Sequence, residues 1–261
     1  MKTAKAPEPL KSEEREMQEA MTYMVDLMSR MYKNQVLLSL NKGSVDKFAD
    51  AQTGNYARVL LDLSNKVERS LVSRFSNKRI EQLVRKVFES NDKRARKLFY
   101  QSIGGAMGLD PAGLLKRDGM KYNINALVLE TTQWAKKLRD ETLEMYTANT
   151  LRAMTNGDSI DSIISQFATM SGKRRDHARF TARNQVANFN SIMNKTRAKK
   201  LGITKAVWLT SNDERVRPSH QARQGKEFDL SEGLYSSMDG KSLLPGTDYQ
   251  CRCAYRMVIP E

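Results

Sequence analysis

The sequence predicts an α+β protein with a mainly helical N-terminal two-thirds and a small C-terminal α+β unit that contains a few strands. Apolar residues recur at helical spacing along most of the chain up to Gly202. Residues 203–210 are then rich in β-branched and aromatic side chains, and Gly, Ser, Asp and Pro become frequent. This change of pattern is typical of short strands joined by turns.

The chain of 261 residues is long enough for one large domain or two small ones. Residues 1–11 contain two prolines and few apolar groups, so they predict a flexible tail. Residues 12–119 predict a helical N-terminal region, and its last part is a glycine-rich stretch in which Asp110-Pro111 resembles a helix start. The second region covers 120–261, with helices over 123–201, interrupted at Ser171-Gly172, and the α+β unit over 202–261.

Methionines mark the first long helix. The apolar positions that repeat every seven residues, together with two interleaved positions, are Leu10, Met17, Met21, Met24, Met28, Met31 and Leu38. Such a stripe either faces the core or docks on another chain, and a core-facing helix is the more common outcome.

Composition excludes several classes of protein. No segment approaches ~18 uninterrupted apolar residues, so the sequence predicts no membrane-spanning helix. The N-terminus lacks the apolar region of a secretory signal. Two cysteines are too few for a disulfide scaffold, which favours a reducing cytoplasm.

The net charge of +14 arises from 44 Lys and Arg against 30 Asp and Glu. Such an excess favours a polyanionic partner, because each phosphate contact releases condensed counterions. Ten basic residues and a single acid lie between Lys173 and Lys205. The candidate DNA-facing residues in this helix are Lys173, Arg174, Arg175, Arg179, Arg183, Lys195, Arg197, Lys199 and Lys200. A solvated helix face without a ligand is the alternative.

The C-terminal unit holds an unusual set of polar and aromatic residues. The motif positions are Trp208, Asp213, Arg217, His220, Gly225, Phe228, Pro245 and Gly246, followed by Cys251-Arg-Cys253. Two residues apart on a predicted strand over 251–259, the two cysteines should point to the same face.

Three interpretations of this set stay open. His220, Cys251, Cys253 and Asp213 could supply the four ligands of a structural zinc ion. Alternatively, His220 could activate one cysteine as a nucleophile, with neighbouring arginines favouring the thiolate. The third interpretation is structural, with buried cysteines and an ion pair that holds the loop.

The order and spacing of these elements resemble the phage head morphogenesis domain typified by the phage Mu F-like proteins. The elements that carry the resemblance are the Arg-x-x-His of 217–220, the Gly-x-x-Phe of 225–228, Pro245-Gly246 and Cys251-x-Cys253, with a helix around 178–183 upstream. The resemblance extends over roughly residues 120–261. At 183–185 the family often carries Arg-Thr-Glu, whereas this chain has Arg183-Asn184-Gln185 and so lacks the acid.

The resemblance implies a minor capsid protein of a tailed phage or prophage, without catalytic activity. It implies the portal protein and other capsid components as partners, with double-stranded DNA during packaging or ejection as a further one. Its expected location is the virion, at the head interior or portal vertex, after assembly in the host cytoplasm. The alternatives are a free nucleic-acid-binding protein and, less favoured, an enzyme that uses His220 with Cys251 or Cys253.

Overall fold

A computed structural model describes residues 2–9, 11–42 and 53–260 of the chain. The described helices are α1 (Lys11–Tyr32), α2 (Leu38–Lys42), α3 (Thr53–Arg74), α4 (Asn77–Phe99), α5 (Gly105–Met107), α6 (Pro111–Lys116), α7 (Lys121–Thr155), α8 (Ile160–Lys200) and α9 (Pro218–Gln221). Short π-helical turns precede α2 (Lys33–Leu37) and α5 (Tyr100–Gly104). The described strands are β1 (Thr3–Lys5), β2 (Lys205–Leu209), β3 (Glu227–Asp229), β4 (Leu234–Ser236), β5 (Lys241–Leu243) and β6 (Ala254–Val258). Helices dominate the first two-thirds and most strands lie near the C-terminus, which confirms the predicted α+β class.

Local sequence signals set several helix ends. Asp110 caps α6, because its carboxylate accepts hydrogen bonds from the backbone N–H groups of Ala112 and Gly113 at 3.0 and 2.8 Å. Pro111 follows as the first helical residue, as predicted. The long helix α7 stops just before Gly157, whose φ of +77° provides the left-handed conformation that often follows a helix end.

The predicted break at Ser171-Gly172 is wrong, because α8 runs without interruption through both residues. Glycine in a helix interior costs only about 1 kcal/mol relative to alanine. The 41 residues of α8 bury enough side chains on both sides of Gly172 to offset that cost.

The N-terminal segment differs from the flexible tail that the sequence predicts. Its residues 3–5 form β1, which pairs antiparallel with β6 and places Thr3 opposite Val258. The carbonyl oxygen of Pro7 accepts hydrogen bonds from the side-chain amides of Asn190 and Asn194, each at 2.8 Å. Ladder and amide hydrogen bonds therefore order a segment whose own composition favours disorder.

The chain divides into two compact units, and each is discontinuous in sequence. The first comprises Met1–Met17, Arg85–Val128 and Ala182–Glu261, and the second comprises Gln18–Val84 and Leu129–Thr181. This division differs from the sequential one expected at residues 119 and 120.

The first unit contains the four-stranded antiparallel sheet, in the order β1-β6-β2-β3, and the separate hairpin of β4 and β5. The register of β2 against β6 places Trp208 opposite Tyr255. These two side chains join Phe99, Ile103 and Met257 in a buried apolar cluster. The sheet and the segments around it carry the site described below.

The second unit has an aromatic centre. The ring of Tyr32 stacks on that of Phe167 with centroids 5.5 Å apart, and Tyr146 contacts both rings. In helix α1, Met21, Met24, Met28 and Met31 of this unit are buried, and so is Met17, which belongs to the first unit. Their burial supports the core-facing interpretation of the stripe. Leu10, the first position of that stripe, lies outside the described residues.

None of the helices in the described part of the chain is both long enough and apolar enough to cross a membrane.

Candidate functional site

His220 lies at the centre of the C-terminal motif residues. Arg217 precedes α9 in an extended conformation, and Pro218 starts this one-turn helix. The turn carries His220 inward, so that only 3% of the residue is exposed. The T-shaped contact between the His220 and Trp208 rings, with centroids 5.7 Å apart, holds the imidazole against the core.

Both cysteine sulfurs converge on one nitrogen of His220. Its Nδ1 lies 3.6 Å from Cys251 Sγ and 3.5 Å from Cys253 Sγ. The ligand atoms of these three residues all lie within 4.8 Å of one another. The predicted strand over 251–259 begins only at Ala254, so the two sulfurs meet because of the loop conformation and not through strand alternation.

Asp248 contacts the other ring nitrogen of His220. Its Oδ2 lies 3.2 Å from His220 Nε2, which places the Nε2 hydrogen on the carboxylate side. Arg217 donates to the same oxygen at 2.5 Å and Lys241 donates to Oδ1 at 3.0 Å. Burial alone would raise the pKa of Asp248, but the bond from Lys241 and the charge of Arg217 lower it overall, so the carboxylate stays charged.

The pairing of the two thiols distributes charge unequally between them. The hydrogen bond from Cys253 lowers the pKa of Cys251, and His220 lowers it further. The same pairing raises the pKa of Cys253. The pKa of His220 is raised, chiefly by its bond to Cys251. The site therefore favours a thiolate on Cys251.

Backbone donors surround that sulfur. The N–H groups of Gly246 and Cys253 donate to Cys251 Sγ at 3.3 and 3.4 Å. The carbonyl oxygen of Pro245 accepts a hydrogen bond from Ser191 Oγ at 2.7 Å, which ties this loop to α8. Pro245 and Gly246, which the sequence placed in the motif, thus position the donor that faces the sulfur.

Asp213, predicted as a fourth metal ligand, does not join the cluster. Both of its carboxylate oxygens accept hydrogen bonds from the Arg252 guanidinium, one of them at 2.5 Å, and one also accepts from the backbone N–H of Arg215. The bidentate ion pair occupies the carboxylate, so the prediction of Asp213 as a ligand is wrong.

The remaining motif residues build the core around the site. Trp208 is fully buried and contacts Phe228 edge to face, with ring centroids 6.1 Å apart. Gly225 has a φ of +74°, and its backbone N–H donates to the Trp208 carbonyl at 2.9 Å. The turn at Gly225 therefore returns the chain into β3 beside β2.

Arg223 is a central residue that the motif analysis missed. It is 1% exposed, and its guanidinium forms a bidentate pair with Asp239 through two bonds of 3.0 Å. It also donates to the carbonyls of Ser219, Leu234 and Lys241 and lies 5.3 Å from the centre of the Trp208 ring. The only local signal is its position three residues after His220.

A cavity of about 340 Å³ is lined in part by the two cysteines of the cluster. Its lining includes Cys251, Cys253, Arg183, Asn190 and Tyr255, together with the segment around Pro7. The cavity therefore reaches the two cysteine residues of the cluster.

Two of the predicted DNA-facing residues are buried, and their assignment is wrong. Arg174 donates to Thr142 Oγ1 at 2.9 Å and lies on the same helix face as the buried Ala178. Arg197 is fully buried and pairs with Asp92 and Asp118. A guanidinium enclosed in this way cannot reach a phosphate.

The other basic positions differ in availability. Lys173 and Lys199 are exposed, whereas Arg175 and Arg179 are exposed but pair with Asp26 and Asp176. Lys195 and Lys200 donate to the carbonyls of Ser231 and Asp118, and Arg183 lines the cavity.

The geometry defines a C-terminal module in which a Cys–Cys–His–Asp cluster joins two connections of a small antiparallel sheet, the one between β2 and β3 and the one between β5 and β6. Residues 144–256 match the family described as "Phage Mu protein F like protein". This match confirms the family resemblance that the C-terminal motifs predicted.

A relative from Haemophilus influenzae, described as "Uncharacterized protein", is 28% identical over 153 residues. The matched part is 58% of this chain but only 33% of the relative, so the chain spans about a third of that protein's length. No solved structure matches the chain.

Proposed function

We propose that this protein is a minor head protein that docks near the portal during head assembly and acts without catalysis. The observation that carries the proposal is the family match over residues 144–256, which covers the whole Cys–His cluster. The contacts that the motif residues make within the protein support the non-catalytic role. Arg217 and Arg252 both form ion pairs within the module, so these charged groups stabilise a fold instead of facing a substrate.

Quantitative mass spectrometry of washed particles from the source strain, scaled to the portal protein, tests this proposal. We expect a ratio near or below one copy per portal subunit. Absence from particles while the protein is abundant in the lysate would contradict the virion assignment. A ratio comparable to that of the major shell protein would contradict the minor role.

We further propose that the exposed basic residues of α8 contact packaged double-stranded DNA. Lys173 and Lys199 carry this proposal, because both are exposed and neither forms one of the ion pairs described for this helix. Aromatic stacking has little to offer here, since Phe189 packs inside the protein with its ring centroid 4.1 Å from that of Phe88, and Phe180, 40% exposed, is a single ring. The expected mode of binding is therefore electrostatic and salt-dependent.

An enzyme is the second candidate, and one observation favours it. Cys251, His220 and Asp248 lie in the order of a nucleophile, a base and an orienting carboxylate, beside a cavity. This candidate requires that His220→Ala abolish turnover while the fold is retained. If His220→Ala instead unfolds the C-terminal module, as judged by the loss of near-UV circular dichroism, the structural role of His220 is supported.

A further inference from the structure

We propose that His220, Cys251 and Cys253 bind one zinc ion, with a fourth coordination position on the side of the cavity. The proposal stands on geometry and is independent of the proposed role in the phage head. The three ligand atoms already lie within 4.8 Å of one another, although His220 and the two cysteines come from segments about 30 residues apart in the chain. A nucleophilic thiol needs only one sulfur beside the imidazole, whereas here two sulfurs point at the same nitrogen of His220, as in a metal site.

The distances fit zinc. A tetrahedral ion with Zn–S bonds of about 2.3 Å and Zn–N bonds of about 2.0–2.1 Å separates its nitrogen and sulfur ligands by roughly 3.6 Å. The two observed separations from His220 Nδ1 are 3.6 Å to Cys251 Sγ and 3.5 Å to Cys253 Sγ. Thiolate and imidazole donors also favour zinc over hard cations such as Mg²⁺ and Ca²⁺.

The groups that hydrogen-bond to the three ligand side chains are those that a zinc site needs. A histidine that binds metal through one nitrogen usually donates its other N–H to a carboxylate, and His220 directs Nε2 at Asp248. Arg217 and Lys241 hold that carboxylate in place. The backbone donors of Gly246 and Cys253 stabilise negative charge on the Cys251 sulfur.

The fourth position is open. Among the described residues the ligand cluster contains only the three side chains, and Asp213 is occupied by Arg252. Both cysteines border the 340 Å³ cavity, which gives water access to the ion. Binding requires both cysteines as thiolates and His220 as neutral imidazole, so the protons that these groups hold are released to solvent when the ion enters.

Metal analysis of the full-length protein, purified without added metal chelators and then dialysed, tests the proposal. We expect about one zinc ion per chain. Replacement of zinc by Co²⁺ should produce thiolate-to-cobalt charge-transfer absorption in the near ultraviolet. Cys251→Ser and Cys253→Ser should each lose the metal, whereas Asp213→Asn, the matched control, should retain it.

Asp248→Asn tests the positioning role of the carboxylate. We expect zinc affinity to fall by about 10–100-fold with the metal-to-protein ratio at saturating zinc unchanged. An unchanged affinity would show that Asp248 does not orient the ligand.

A measurement on the unmodified protein tests the site without depending on the folding of the cysteine variants. Alkylation of Cys251 and Cys253 by iodoacetamide should be slow in the zinc-loaded protein and should accelerate at least tenfold when a chelator is added. Fast alkylation that a chelator does not change, recovery of a Cys251–Cys253 disulfide from freshly prepared protein, or a Co²⁺ titration without charge-transfer bands would each overturn the zinc site.

Discussion

Arg197 and Asp118 form a buried, bidentate ion pair. The Nε and Nη2 atoms of Arg197 donate to the two carboxylate oxygens at 3.0 and 2.9 Å, and both residues are at most 3% exposed. Asp92 accepts a further hydrogen bond from Nη2, and the hydroxyl of Tyr100 donates to Asp118 at 2.6 Å. A residue that the sequence assigned to DNA therefore links α8 to α4 and to the segment before α7.

Arg197→Ala should destabilise the protein by about 3–5 kcal/mol, because it leaves two carboxylates buried without their partner. The measurement is the free energy of unfolding from urea titration. The matched control is Lys199→Ala on the same helix, where the exposed side chain should change stability by less than about 0.5 kcal/mol. Equal effects of the two substitutions would contradict the structural role of Arg197.

Acid should weaken the protein through Asp118. Burial alone would raise its pKa, but the hydrogen bonds from Arg197 and Tyr100 outweigh burial and lower the pKa below its usual value. The folded pKa lies below the unfolded one, so the stabilisation is present above about pH 4 and is lost as the pH falls through the folded pKa. The slope of unfolding free energy against pH in this acid range should be smaller in Asp118→Asn. A slope identical to that of the wild type would contradict the assignment.

Trp208→Ala should cost about 3–5 kcal/mol, because it removes a fully buried ring that contacts His220 and Phe228. Trp134→Ala is the matched control, since Trp134 is 45% exposed. Thermal and urea unfolding should both separate the two variants clearly. An unchanged melting temperature in Trp208→Ala would remove this tryptophan from the core.

Two glycines with similar backbone angles should respond differently to alanine. Gly225 has a φ of +74° with open space around its Cβ position, so Gly225→Ala should cost only the conformational strain of about 1–2 kcal/mol. Gly233 has a φ of +78°, and an added Cβ would lie 2.6 Å from the carbonyl oxygen of Leu243. Gly233→Ala should therefore be clearly less stable than Gly225→Ala in the same urea titration. The reverse order would contradict the close approach of the backbone to Gly233.

DNA binding should depend on salt and on the exposed lysines of α8. The slope of log K against log salt for double-stranded DNA, measured by fluorescence anisotropy, should decrease by about 0.9 for each phosphate contact removed. The double variant Lys173→Ala/Lys199→Ala should show this decrease. Removal of the same charge from exposed Lys66 and Lys78 should leave the slope unchanged. A smaller slope in both double variants would indicate a nonspecific charge effect.

Several elements were predictable because local chemistry determines them. The first of the helices expected over 123–201 is α7, which covers Lys121–Thr155, and the strand expected within 203–210 covers Lys205–Leu209. The Asp110 cap is also local, since the carboxylate bonds to N–H groups two and three residues ahead. A metal site formed by His220, Cys251 and Cys253 was one of three interpretations of the sequence, and the residue types alone suggested it.

Other features depend on partners that are distant in sequence. Strand β1 pairs with β6, which lies some 250 residues later in the chain, and nothing in the local sequence of residues 3–5 predicts this pairing. Arg174 and Arg197 were assigned to a basic surface because a count of charges does not show which face of a helix is buried. Asp248 and Arg223 were missed for the same reason, since their roles come from contacts with other loops.

The helical N-terminal part and the change to strands after Gly202 can be predicted from sequence alone. The same is true of the basic charge and of the cysteine and histidine residues in the motif. These features follow from periodicity, propensity and spacing, which act over a few residues. The folded structure is needed to show that Asp213 pairs with Arg252, that Asp248 orients His220, and that Arg197 is buried. Ion pairs and burial depend on which segments of the chain contact each other, and these contacts are set by long-range packing.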